Sequence, residues 1–292
     1  MKNLRYIVKK IGKDHLKPIW IFLTILLIFS ACSTSQTPTN AELAPEERVW
    51  MEKFFKDVML DNTAVYTLWG SKPMTDFDIH YHSEVEVRAF FDGLSEEEKK
   101  NTVVVKDYDL PENWEKWEQI RSKYRIRNYL FFKTVDLEDP KFARISFVNI
   151  KEMAFLLVNH YTTFKRETGM DFDPLKVVFE IERGSEFWNK ALNNSVLVGL
   201  LYGFGLENSC SFKWKHGKHP AIYDDFCNSL KFRFSDHNMH NASIAHFSLP
   251  IFASFSEGKD EVIEKYKNER EMIRQSYRGK DFLNLTLEKL QQ

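Results

Sequence analysis

Asn128-Tyr129-Leu130-Phe131-Phe132-Lys133-Thr134-Val135, then Asp136-Leu137-Glu138-Asp139-Pro140, then the alternating run Phe142 to Val148, is the stretch on which the fold turns. Its outer parts are rich in aromatic and β-branched residues, which suit a pleated surface, and its middle has the chemistry of a turn. The three together predict an antiparallel hairpin. Directly after it, Asn149 is placed to cap a long helix reaching about Glu167. In that helix Ile150, Met153, Ala154, Leu157, Tyr161 and Phe164 recur at helical spacing. The further apolar residues Phe155, Leu156 and Val158 predict deep burial, and Gly169 ends the helix.

Working outward, a first helix is expected from Pro45 to about Leu60, closed by Asp61-Asn62. Ala64 to Trp69 reads as a short extended segment running into a Gly70-Ser71-Lys72-Pro73 turn. Helices are expected over Ser83–Phe91, from Ser95 onward, and over Asn113–Tyr124 with Trp114 and Trp117 on one face. Others follow over Leu175–Glu182 behind Asp173-Pro174, from Ser185, and over Lys259–Tyr277, while Ser195–Tyr202 is a continuous apolar run. The sum is an α+β fold, predominantly helical, with a small antiparallel hairpin or sheet, in a single globular domain over residues 45–292.

The N-terminus has a different logic. Lys2, Arg5, Lys9, Lys10, Lys13 and Lys17 precede the apolar run Ile19–Phe29, and Ser30-Ala31 stand directly before Cys32. Charge, apolar segment and small residues in that order form an export signal. The run is shorter than the roughly 20 apolar residues a membrane-spanning helix needs. With a cysteine at the first position after the cut, the segment resembles the lipobox of bacterial lipoproteins, although Phe29 stands where Leu is usual. That resemblance implies a signal peptide over residues 1–31, thioether lipidation of Cys32 and a lipid membrane as partner. It also implies a place in the cell envelope. Ser33 resembles the outer-membrane-sorted class if the source is Gram-negative, with the domain then facing the periplasm. Residues 32–44 are the lipidated cysteine followed by a polar run with too little apolar surface to fold alone, and they read as a flexible tether.

Charge supports separating that signal from the rest. Residues 1–31 hold six of the 41 Lys and Arg and one of the 42 Asp and Glu, leaving 35 basic against 41 acidic residues. A mildly acidic domain has no electrostatic reason to bind nucleic acid, whose affinity rests on neutralising phosphates. The aromatic content of 15% points to a bulky core. Beyond Cys32 the cysteines are Cys210 and Cys227, either a disulfide in an oxidising compartment or two buried thiols.

Two segments, Tyr66-Thr67-Leu68-Trp69-Gly70-Ser71-Lys72-Pro73 and Val198-Gly199-Leu200-Leu201-Tyr202-Gly203-Phe204-Gly205-Leu206-Glu207-Asn208-Ser209, resemble paired signatures in uncharacterised proteins of chlamydia-like and other intracellular bacteria. The resemblance implies no activity and assigns no residue a role. Read for themselves, Gly70 and Pro73 make a turn in which Lys72 could hold an anion. Gly199 and Gly203, four apart, permit close approach of a neighbour, and Gly203 with Gly205 closes a helix. Lys72, Glu207 and Asn208 are the candidate pocket residues.

Other constellations are weaker. His80 and His82, His216 and His219, and His237, His240 and His246 are clustered. Cys210, His216, His219 and Cys227, or Asp236, His237, His240 and His246, can be written as zinc ligands, but neither spacing matches a metal motif. The acid pairs Asp76 with Asp78 and Asp224 with Asp225 could serve general acid/base chemistry, but carboxylates in loops are too common for that to count, and Glu180 and Glu182 show no partner. There is no nucleophile elbow and no phosphate-binding glycine loop. The expected function is therefore a membrane-anchored envelope lipoprotein with a non-catalytic binding or structural module and no cofactor or metal, taking an envelope protein or a small ligand as partner. The alternative is an envelope hydrolase, metal-dependent through the His-rich region 216–246.

Overall fold

The computed structural model describes residues 43–101, 109–217, 233–234, 242–254 and 260–292. The signal segment, Cys32 and most of the tether lie outside the described residues, as do His219, Asp224, Asp225, Cys227, Asp236, His237 and His240. The fold is α+β and predominantly helical, with a three-stranded antiparallel sheet and a two-stranded ribbon. Among the described residues no helix is long and apolar enough to cross a membrane.

The described residues open with α1 (Pro45–Lys56), a π-helical turn over Asp57–Asp61, and α2 (Val65–Trp69). Strand β1 (Met74–His80) is followed by α3 (Glu84–Gly93), α4 (Glu96–Asn101) and α5 (Asp109–Ile120). The hairpin of β2 (Tyr129–Val135) and β3 (Phe142–Asn149) leads into α6 (Ile150–Asn159) and α7 (Tyr161–Thr168). Four helices come next: α8 (Pro174–Val178), α9 (Glu186–Leu192), α10 (Ser195–Leu201) and α11 (Leu206–His216). The short strands β4 (Arg233–Phe234) and β5 (Ala253–Ser254) pair, and α12 (Glu261–Tyr277) and α13 (Phe282–Gln291) close the fold.

The hairpin forms where the sequence placed it, and Asn149 Oδ1 accepts the Glu152 N–H at 3.1 Å as the cap of α6. Four expectations are corrected. The helix after Asn149 is two helices, broken at His160, where the backbone leaves helical geometry (φ −110°, ψ 23°). Phe155 and Val158 are exposed, so the burial of α6 is one-sided. Ala64–Trp69 is helical from Val65 instead of extended. Val65, Tyr66, Thr67 and Leu68 are all buried, so no polar face marked the helical period. The Asp76 and Asp78 carboxylates stand on a strand, β1, which the sequence reading did not identify.

β1 pairs with β3 over Met74↔Val148 to His80↔Phe142, which makes β3 the central strand in the order β1-β3-β2. Alternation gives the sheet two unlike faces. Phe77, Ile145, Phe147 and Phe131 face an aromatic layer built by Trp114 and Trp117 of α5 with Phe54 and Phe55 of α1. On the opposite face Met74 and Val148 join a second core with Met153, Leu157, Phe164, Trp188 and Leu200. Beyond Met74 and Val148 that face turns polar on β1 and β3, while β2 contributes Phe132.

Candidate functional site

Lys72 owes its place to the chain's exit from α2. The Tyr66 carbonyl accepts both the Gly70 N–H (3.0 Å) and the Lys72 N–H (3.3 Å), drawing the chain back toward β1. Glu269 of α12 accepts from the Ser71 N–H (3.2 Å) and from the Ser71 hydroxyl (2.7 Å). A Cβ at Gly70 would stand 2.2 Å from Glu269 Oε2, so that approach requires glycine. The late glycine segment arrives from the other side. Gly203 has φ +77°, and a Cβ there would lie 2.2 Å from Tyr266 Oη and 3.5 Å from Lys72 Cγ. Tyr266 of α12 donates its hydroxyl hydrogen to the Gly203 carbonyl at 3.0 Å. The two segments singled out in the sequence thus meet at Lys72, with α12 clamping both. Gly199 serves the close approach expected of it, against Ser209 of α11, whereas Gly203 lies past the end of α10 in a left-handed turn.

Lys72 is 6% exposed and lines a cavity of about 510 Å³. The floor is the polar part of the sheet. Asp76 and Ser146 are directly opposed, as are Asp78 and Arg144, so the four side chains share one face. Arg144 Nε donates to Asp78 Oδ1 at 3.1 Å, and Tyr202, just past α10, donates its hydroxyl hydrogen to Asp76 Oδ2 at 2.6 Å. Val198, Phe204 and Ile251 add apolar wall. The rim comes from the π-helical turn, whose last residue Asp61 accepts the Ala242 N–H at 2.8 Å. Thr63, also on the rim, has φ +56°, a left-handed conformation costly for a β-branched residue. Strain of about 1–3 kcal/mol of this kind is held only where surrounding contacts over-determine it.

Electrostatics follow from burial. Desolvation lowers the Lys72 pKa to about 8, with the nearby Asp76 charge opposing the shift. Desolvation also raises the Asp76 carboxyl above its usual range, against the Tyr202 and Ser146 hydroxyls and the Arg144 and Lys72 charges. Asp76 Oδ1 is buried and has no geometrically sound hydrogen bond. Burial and the Asp76 charge push the Tyr202 hydroxyl up, so it stays a donor. Burial thus works against the charge on both the amine and the carboxyl, while their mutual attraction favours it.

Of the predicted pocket residues, Lys72 lines the cavity and the other two do not. Glu207 is exposed at the start of α11. Asn208 is buried, but its Nδ2 donates to the Phe204 carbonyl (3.1 Å) and to Asp260 Oδ2 (3.2 Å), tying α11 to the cap of α12. His80 packs against Phe142 with the rings tilted and their centroids 5.0 Å apart, His82 stands 3.6 Å from Asp139, and His246 is exposed. Among the described residues no three His, Cys, Asp or Glu side chains are grouped to hold a metal ion. Cys210 is half-buried on α11. Arg144 and Tyr202 were not picked out as candidates. Arg144 alternates with buried Ala143 and Ile145, and Tyr202 ends an otherwise apolar run, so each had a readable but unspecific signal. No protein-family model, no curated protein and no solved structure matches the chain.

Proposed function

We propose that the chain is a membrane-anchored envelope lipoprotein, acylated at Cys32, whose domain binds a small polar solute in the Lys72–Asp76 cavity. One observation carries the binding half: a buried lysine ends in a cavity and has no hydrogen bond to its ammonium among the described residues. Burying an ammonium with the Asp76 charge nearby but no hydrogen bond is expensive for a fold that gains nothing from it. The cavity's size lies within the 300–1,000 Å³ or so of ordinary small-molecule sites, and it pairs an apolar wall with a few convergent polar groups. The Ser30-Ala31-Cys32 junction behind its basic and apolar segments supports the anchor.

The two halves are tested separately. Cys32→Ala should abolish incorporation of labelled fatty acid and leave uncut precursor; persistent labelling defeats the anchor. For the cavity, the full chain is screened by thermal shift against small carboxylic acids, amines and sugars. A solute that stabilises the wild type should lose its effect in Val198→Trp, which fills the cavity from its wall. Equal stabilisation of both proteins removes the cavity from consideration.

A further inference from the structure

We infer that the cavity captures a small carbonyl compound bearing a carboxylate, of the 2-oxo-acid class, by reversible imine formation on Lys72. The inference rests on the binding-module reading above and names its ligand chemistry. Three features of the wall select that class. The first is a primary amine, buried along its stem and open at its tip to the cavity, with no hydrogen bond among the described residues. Most ligand classes would be met by a charged, fully hydrated lysine, and burial works against that charge. A desolvated amine is suited to an electrophilic carbon.

The second feature is the Asp76–Tyr202 pair on the same wall. Tyr202 donates to Asp76 Oδ2 at 2.6 Å, while Oδ1 is buried and has only the Ser146 hydroxyl beside it. Imine formation needs such a group, because a proton must be delivered and taken back. The neutral Lys72 nitrogen attacks the carbonyl carbon, a C–N bond forms, the C=O π pair moves to oxygen, and one of the two nitrogen protons passes to that oxygen to give a neutral carbinolamine. Protonated Asp76 then supplies a proton to the departing hydroxyl, water leaves, and the remaining nitrogen proton returns to the Asp76 carboxylate as C=N forms. The net change is amine plus carbonyl to imine plus water, with no oxidant or reductant involved.

The third feature is Arg144. Its Nε is committed to Asp78 at 3.1 Å, and its two terminal amino groups have no hydrogen bond among the described residues. A guanidinium with those groups open on a cavity suits a carboxylate. Lys265 supplies an internal control. It too is desolvated, but its ammonium lies 4.2 Å from the centre of the Tyr266 ring and it is not part of the cavity wall.

The test treats the full-length chain in detergent micelles with glyoxylate and cyanoborohydride, which traps the imine as carboxymethyl-lysine, and maps the modified lysines by peptide mass. Lys72 should be modified about tenfold or more faster than the exposed lysines, the advantage of at least one pKa unit of free amine, and faster than Lys265, whose ammonium sits on the Tyr266 ring outside the cavity. Arg144→Gln and Val198→Trp should slow Lys72 without changing Lys265, and acetaldehyde should label Lys72 more slowly than glyoxylate. Labelling of Lys72 no faster than Lys265 overturns the inference, and acetaldehyde matching glyoxylate overturns its carboxylate half. If Lys72 stays unmodified while glyoxylate still stabilises wild type and not Val198→Trp, imine chemistry is rejected and the binding cavity survives. If both readouts are silent, this ligand class is rejected for the cavity as well.

Discussion

Lys72 is a liability to the fold that holds it. Its pKa falls from 10.5 to about 8 on folding, so between those values the unfolded chain binds more protons and stability rises with pH. Below pH 8 the burial cost is present in full, and above 10.5 it is gone. Lys72→Met should therefore stabilise the protein at pH 7 by up to about 3 kcal/mol, a figure that already contains the attraction to Asp76. Chemical denaturation of both proteins across pH 7 to 11 checks this, and a gain that does not shrink with rising pH contradicts it. Gly203 behaves in the opposite way. Gly203→Ala would place a Cβ against Tyr266 Oη in a left-handed conformation, so a loss of about 2–4 kcal/mol is expected from backbone strain and the broken hydrogen bond. Tyr266→Phe in the same background should recover part of it, because the clashing oxygen is gone.

At the scale of elements, the caps and the hairpin were legible because their signals are local. Ser83 and Ser95 each exchange hydrogen bonds with the glutamate three residues on. Asn149 both caps α6 and donates Nδ2 to the buried Thr67 carbonyl at 3.0 Å. Asn149→Ala removes a cap and orphans that carbonyl, so a loss of about 2–4 kcal/mol in urea denaturation is expected, whereas Asn149→Asp should keep the cap and lose mainly the Thr67 bond. β1 was missed for a physical reason. Asp76 and Asp78 are poor strand formers that interrupt the pattern of β1, and both line the cavity. The local signal failed at the element that carries the candidate site. α13 was missed as well, although Asp281 caps it by accepting the Asn284 N–H at 2.8 Å. Of the site itself Lys72 was legible as a pocket residue, and Asp76 with Asp78 only as an unspecific acid pair. The Asp76–Tyr202 bond joins residues far apart in the chain, and no spacing rule reaches across such a gap.

For the molecule as a whole, the first and last described helices hold each other. Arg48 of α1 ion-pairs with Asp281 and donates to Asn284 Oδ1 at 3.2 Å, and Asn128 reaches the Gln292 carbonyl at 2.8 Å. Leu283, Leu285, Leu287 and Leu290 of α13 are buried. At roughly 1.5–3 kcal/mol for each buried leucine, deleting residues 281–292 removes about 6–12 kcal/mol, comparable with the whole stability of a typical domain. Loss of the cooperative thermal transition is expected, and a truncated chain that still melts sharply would show that α13 is an accessory. The strand order has a consequence in time. The β2–β3 hairpin closes over a short turn, but β1 reaches β3 only after the intervening α3, α4 and α5 have been looped out. Distant pairings of this kind form late because loop closure must come first. The cavity floor is divided along that seam, Asp76 and Asp78 on one side and Ser146 and Arg144 on the other. The site is thus assembled in one of the last folding steps, and a partial opening that frees β1 would empty it while the hairpin stays intact.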